Sequence, residues 1–240
     1  MRNLLLPILI TTFILQSCGG GSEGVLVVNN DPFNLRPTVE GNLIYKGELY
    51  SGKIIKYYDD GTFSKVEFEG SYLNGKRNGV WEWNHENGQL SKKGSYLNGE
   101  KSGVWEEHHE NGQLSSKGSY LNGEKNGVWE EHHENGQLKI KGSFLNGKED
   151  GFWEENDENG QLKMKGSYLN GERNGNWTEY HNNGIQHEIG SYLNGERIGV
   201  WKTYHKNGRL EFKGSFKNGK MKGVWEKYNE DGTFDFTVTF

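Results

Sequence analysis

The chain is poor in the residues that lock or break a fold. It has one cysteine, Cys18, in 240 residues, so no disulfide forms within it. Its three prolines, Pro7, Pro32 and Pro37, all lie before residue 45. Beyond them nothing interrupts a continuous ladder of backbone hydrogen bonds. No segment repeats its apolar residues with the 3.6 period of an amphipathic helix, which argues against helical construction. Basic residues are not in excess: 28 Lys and Arg stand against 33 Asp and Glu, a net charge of −5. Nucleic acid, which needs a basic face, is therefore not an expected partner. The one long apolar run, Leu4 to Leu15, is too short to span a bilayer comfortably.

Glycine and aromatic residues are abundant and strictly spaced. Seven tryptophans, Trp81, Trp105, Trp129, Trp153, Trp177, Trp201 and Trp225, lie 24 residues apart without slippage. A glycine precedes each by two positions, from Gly79 to Gly223. A fixed period of this length marks a tandem-repeat architecture. It also bears on function, because a catalytic centre is a single asymmetric cluster and not a motif copied seven times.

One copy shows what the unit builds. Leu138, Ile140, Gly142 and Phe144 alternate with Lys139, Lys141 and Ser143, the period-two pattern of a strand with one apolar face. Leu145 to Gly151 reads as a polar loop, and Phe152-Trp153-Glu154-Glu155 opens a second strand. Asn159-Gly160 reads as the tight type I′ turn that returns the chain to the next copy. The midstrand Gly142 is unusual in a strand, and it leaves room for an aromatic ring, Trp first among candidates, to lie across the backbone. Burying such a ring contributes roughly 2–3 kcal/mol, enough to offset the ~1 kcal/mol cost of the glycine. The alternation is broken near Ile185, where Glu188 takes an apolar slot.

Residues 45–72 read as a degenerate first copy and 73–240 as seven good ones, about 17 strands in all. The expected fold is all-β: an elongated, single-layer antiparallel meander of tandem 24-residue hairpins, roughly 80 Å long at about 4.8 Å per strand. The last strand carries Val238 where other copies have Gly, which suits a cap.

The first residues carry a different signal. Arg2, the apolar run and Leu15-Gln16-Ser17-Cys18 resemble a bacterial lipoprotein signal. The resemblance implies a signal peptide over 1–17, a lipidated Cys18 and a tether over 18–44 that begins Gly19-Gly20-Gly21-Ser22. Acyl chains would hold the protein at the bacterial cell envelope, at the outer membrane in a Gram-negative cell. Loss of Arg2 would take Lys+Arg from 28 to 27 against 33 acids, a net charge of −6.

The repeats run G-x-W-x-x-Y/H-x-x-N-G-x-L-x-x-x-G-x-Y-x-x-G, as in Gly103-Val104-Trp105, Asn111-Gly112-Gln113-Leu114 and Gly118-Ser119-Tyr120. This pattern, over residues 45–240, resembles MORN repeats (membrane occupation and recognition nexus), and more closely the bacterial variant in YwqK-type antitoxin proteins. The resemblance implies a protein-binding scaffold, or more narrowly an antitoxin or immunity partner of a toxin.

Chemistry is otherwise sparse. His108-His109 and His132-His133 read as solvated residues at strand ends. His109 and His133 would stand about 9.6 Å apart, whereas ligand atoms must lie ~2 Å from a shared metal. Glu106-Glu107 and Glu130-Glu131 point to opposite faces and form no acid–base pair; lysines such as Lys139, Lys141, Lys163 and Lys165 can interleave with one Glu column. No catalytic residue, metal site or cofactor is expected. The seven Trp are assigned to the repeat core. Tyr180, Tyr204 and Tyr228, three after a Trp, are the candidate binding surface: either the strand bulges there or Trp and Tyr occupy opposite faces. The first reading of function is a membrane-anchored scaffold for an unknown protein partner, a toxin in the narrower form. The alternative is binding of envelope glycan or lipid headgroups through aromatic columns.

Overall fold

The computed structural model describes residues 25–28, 35–37, 42–59 and 64–240. The expected signal segment, Cys18 and the glycine tether lie outside the described residues. Among the described residues all regular structure is β. One open sheet begins at Val25–Val28, passes to Gly52–Tyr57, and then adds strands in chain order to Phe234–Thr239. It has eighteen segments. Glu172–Arg173 and Gly175–Tyr180 both pair with Leu162–Leu169 and are one strand interrupted at Asn174, which leaves the expected seventeen. Every pairing is antiparallel except that of Val25–Val28 on Gly52–Tyr57, which is parallel.

The first copy departs from the pattern. Gly52–Tyr57 pairs with Val66–Leu73 as expected, with Ile54 in the place of the Trp. The preceding hairpin, Leu43–Tyr45 and Glu48–Leu49, joins Leu35–Pro37 in a separate three-stranded sheet. It is tied to the next unit where Leu43 N–H donates to the Gly75 carbonyl at 2.6 Å. The edge it would have held is taken by Val25–Val28.

The two turn types are exchanged relative to the sequence reading. Leu145 and Lys148 are directly paired, so Asn146-Gly147 is the two-residue loop. Its φ angles, 50° and 77°, are the two positive values that a type I′ turn requires. The stretch 148–151, read as loop, is strand. At the other end Gly160 N–H donates to Asp157 O at 2.9 Å and Asp157 N–H to Gln161 O at 2.9 Å, a wider turn in which Gly160 has positive φ and Asn159 does not. The equivalent Asn111 shows the reason. Its Oδ1 accepts from Gln113 N–H at 2.9 Å, a local bond that satisfies Asn without the left-handed conformation.

The midstrand glycine does what its position implies. Gly118 pairs with Trp105 on one side and lies under the indole of Trp129 on the other; a Cβ there would sit 2.1 Å from Trp129 Cδ2. The same contact recurs from Gly70 to Gly214. Next to it the sheet is bulged. Lys117 faces Glu130 and Ser119 faces Asn126, so four residues of one strand span two of its neighbour, with Gly127 at φ 84°. The Ser119 carbonyl accepts instead from Trp129 Nε1–H at 3.1 Å. Trp81, Trp105 and Trp177 make the same bond. Edge-to-face rings complete the layer: Tyr120 lies 5.9 Å from Trp105 and 5.1 Å from Trp129. Six of the seven repeat tryptophans are 1–7% exposed, which makes this layer the core.

Gly118→Ala should therefore cost about 3 kcal/mol or more by expelling the indole. Gly127→Ala, whose Cβ would meet nothing within 4 Å, should cost only the left-handed strain of about 1–2 kcal/mol. Urea midpoints of the two variants test the difference; equal losses would contradict the packing role of Gly118.

Candidate binding surface

The two faces of the sheet differ in kind. On the Trp face the residue four before five of the seven Trp lays a cation over the ring. Arg77 Cζ is 4.8 Å from the Trp81 centroid, Lys101 Nζ 4.4 Å from Trp105, and Lys125 Nζ 4.3 Å from Trp129. Arg173 and Arg197 stand 4.2 Å from Trp177 and Trp201. Sequence reasoning missed this column, although the period placed Arg or Lys at the same phase in five copies. Cation–π contacts contribute about 0.5–2 kcal/mol and cover the ring from solvent.

The Trp face also explains the broken alternation. Glu188 sits in the column of Ile140, Met164 and Phe212. It accepts two bonds from Arg197, at 3.0 and 2.9 Å. Burial pushes its carboxyl above the ordinary value, against the lowering effect of Arg197. A charged pair thus fills an apolar slot without disturbing the register.

The opposite face is mixed. In cross-strand register run Glu82, Lys93, Glu106, Lys117, Glu130 and Lys141, a ladder of alternating sign. Lys93, Lys117 and Lys141 lie 2.6, 2.8 and 2.9 Å from Glu82, Glu106 and Glu130. Hydrogen bonds from Lys117 and Lys141 hold the carboxyls of Glu106 and Glu130 below the ordinary value. Of the expected interleaving lysines, Lys141 takes part in this ladder, and Lys163 pairs instead with Glu155.

Beside the ladder are exposed apolar side chains. Val80, Val104, Val128, Val200 and Val224 are 53–56% exposed, and Phe152 continues their row. Leu97, Leu121 and Leu145, each just before an Asn-Gly turn, are 50–59% exposed. Strand alternation puts these leucines on the Val side, away from the tryptophans.

Tyr180, Tyr204 and Tyr228 join this same face. Each stands at a register shift, where the partner strand carries one extra residue, His187, Glu211 or Asp235. Of the two expected alternatives the second holds: Tyr and Trp lie on opposite faces, and the extra residue belongs to the neighbouring strand, not to the strand that carries the Tyr. Tyr228 Oη donates to Glu226 Oε2 at 2.9 Å, a group of the charged ladder. The structure brings the three tyrosines into one column but sets them two strands, about 9.6 Å, apart. The seven Trp, by contrast, occupy the core layer.

The histidines are not simply solvated. His109 Nε2 donates to the His132 carbonyl at 3.0 Å, and His85, His133, His181 and His205 make the same contact one repeat on. Asn87, Asn111 and Asn135 add parallel bonds to Glu110, Glu134 and Glu158 carbonyls. These clasps stitch five of the wide turns to the next. No group of three or more His, Cys, Asp or Glu suited to a metal occurs among the described residues.

The family comparison agrees with this unit. Five segments, 77–98, 101–122, 125–146, 149–170 and 197–218, match the MORN repeat variant, together just under half of the chain. Each runs from the cation position through the Trp strand and wide turn to the Asn of the next Asn-Gly turn. Besides the degenerate first copy, the unmatched copies are those with Glu188 and Val238 in the first-strand pattern. No curated protein matches the chain. At five positions, then, the tandem hairpins match the MORN repeat variant.

Glu188 makes a pH prediction. Because its folded pKa is raised, its contribution to stability is full below the unfolded carboxyl pKa of about 4.3 and is lost as pH rises through the folded value. Glu188→Gln should remove that loss, so its urea midpoint relative to the parent should improve between pH 4 and pH 7. A pH-independent difference would contradict it.

Proposed function

We propose that this protein is a non-enzymatic scaffold that binds another protein through the face opposite the tryptophan layer. The observation that carries the reading is the exposed Val and Leu rows beside a charge ladder that is already internally paired. Exposed, contiguous apolar surface is what a protein partner would cover. The ladder and the three tyrosines would supply the polar rim and orientation. The repetition of one face in every copy favours an extended contact over a reactive centre.

The lipoprotein-like start supports a location at the bacterial cell envelope, held through Cys18 with the sheet standing off the membrane. The YwqK-like repeat pattern supports an antitoxin- or immunity-type role. Combined, the two favour a toxin that reaches the envelope over one confined to the cytoplasm. A second reading rests on the tyrosine column, whose spacing suits stacking on envelope glycan.

Capture from envelope extract separates the two. The full chain should retain a discrete protein, the triple variant Leu97→Ser, Leu121→Ser, Leu145→Ser should lose it, and Tyr180→Ser, Tyr204→Ser, Tyr228→Ser should weaken it at most modestly. Retention of polysaccharide that only the tyrosine variant loses would replace the protein-binding reading with the glycan one.

A further inference from the structure

One repeat breaks the cation rule in a way that leaves a place open. Five tryptophans are capped by Arg77, Lys101, Lys125, Arg173 or Arg197. At the corresponding position before Trp153 stands Glu149. The backbone register is unchanged: Glu149 pairs with Phe144 as Lys125 pairs with Tyr120. The carboxylate is therefore carried from the same station that elsewhere delivers an ammonium or guanidinium, and it makes no ion pair among the described residues.

Trp153 responds. It is the one repeat tryptophan that is only partly buried. Its ring is turned over, so that Cε3 and Cζ3, not Cδ2 and Cε2, lie nearest Gly142. Phe144, 5.9 Å away at 67°, already has Lys125 Nζ 4.9 Å over its ring, whereas Tyr168, 5.3 Å away at 76°, stands as Tyr96, Tyr120 and Tyr192 do beside the capped tryptophans. Trp225 provides the contrast. It also lacks a cation, but Met221 stands at that position, no carboxylate replaces it, and the ring is 7% exposed.

We propose that Trp153, Tyr168 and Glu149 form a seat for a cationic side chain, an arginine or lysine, of a protein partner. The two rings attract a cation through their quadrupoles, as the Trp and Tyr pairs of the other repeats do, and the carboxylate supplies the counter-charge that the other repeats do not need. An internal cation is worth covering the ring with in five copies; here the partner provides it. The neighbouring cations Lys125 and Arg173 are each one repeat away, the same separation at which Arg77, Lys101 and Lys125 already coexist. The occupant's being a protein rests on the scaffold reading above; the seat itself rests on this one repeat. It lies on the Trp face, so a partner engaging both would wrap an edge of the sheet or bind as two separate contacts.

The test follows the tryptophan indole N–H signals of the ¹⁵N-labelled full chain during titration with butylguanidinium chloride, with sodium chloride as the ionic-strength control and Trp153→Phe for assignment. The Trp153 signal should shift saturably, while those of Trp129 and Trp177 stay in place because their rings are already covered. Glu149→Gln should weaken the midpoint several-fold. Glu149→Arg should abolish the shift and move Trp153 emission to the blue, as its own guanidinium takes the seat. A Trp153 shift no larger than in sodium chloride, or one undiminished in Glu149→Arg, would overturn the seat. Tighter binding of tetramethylammonium than of butylguanidinium would overturn the assignment to a protein side chain. Failure of the envelope capture alone would leave this titration unaffected, so the two proposals fall separately.

Discussion

The contact of an indole with a bare backbone holds this structure together. Each unit places a side chain of large area directly on a glycine of the preceding strand, closer than any Cβ permits. A single-layer sheet has no second layer to bury its apolar face against, so it must build a core within one layer. The Trp on Gly contact does this by using the backbone itself as one wall. The bulge beside it follows from the same need. It frees the serine carbonyl that the indole N–H of Trp81, Trp105, Trp129 and Trp177 bonds, and thereby removes the desolvation penalty of a buried donor. The cation lies on the other side of the ring, and edge-on tyrosines or phenylalanines fill the gaps along the row.

That arrangement makes the two faces unequal. The Trp face is consumed by internal contacts, with arginines and lysines over five of its rings. The opposite face has no structural debt of this kind. Its ladder of Glu and Lys is satisfied across the strands, which leaves the valines and leucines beside it uncommitted. The irregularities divide in the same way. Glu188 with Arg197 repairs a broken slot internally, whereas Glu149 before Trp153 makes no ion pair among the described residues, and the ring there is only partly buried.

The legibility of these features in the sequence varied with their range. The period, the strands, the Gly under the Trp and the assignment of the seven tryptophans to the core follow from spacing, because side chains alternate along a strand and the same register returns every 24 residues. The turns were misplaced because both ends of the hairpin contain Asn-Gly; which one closes a two-residue loop depends on a side-chain bond from Asn to the N–H two residues on. The histidine clasps escaped notice because each reaches a carbonyl 23 residues later, in another repeat, and no local pattern announces such a bond.

The sequence by itself determined the repeat, the all-β class and the place of the midstrand glycine, since these depend on periodicity and on glycine being the one residue without a Cβ. Only the tertiary structure decided which turn is tight, which face carries Tyr180, Tyr204 and Tyr228, and what covers each ring. Those depend on how neighbouring strands shift against one another at the bulges, and a shift of one or two residues leaves no mark on the spacing of the chain.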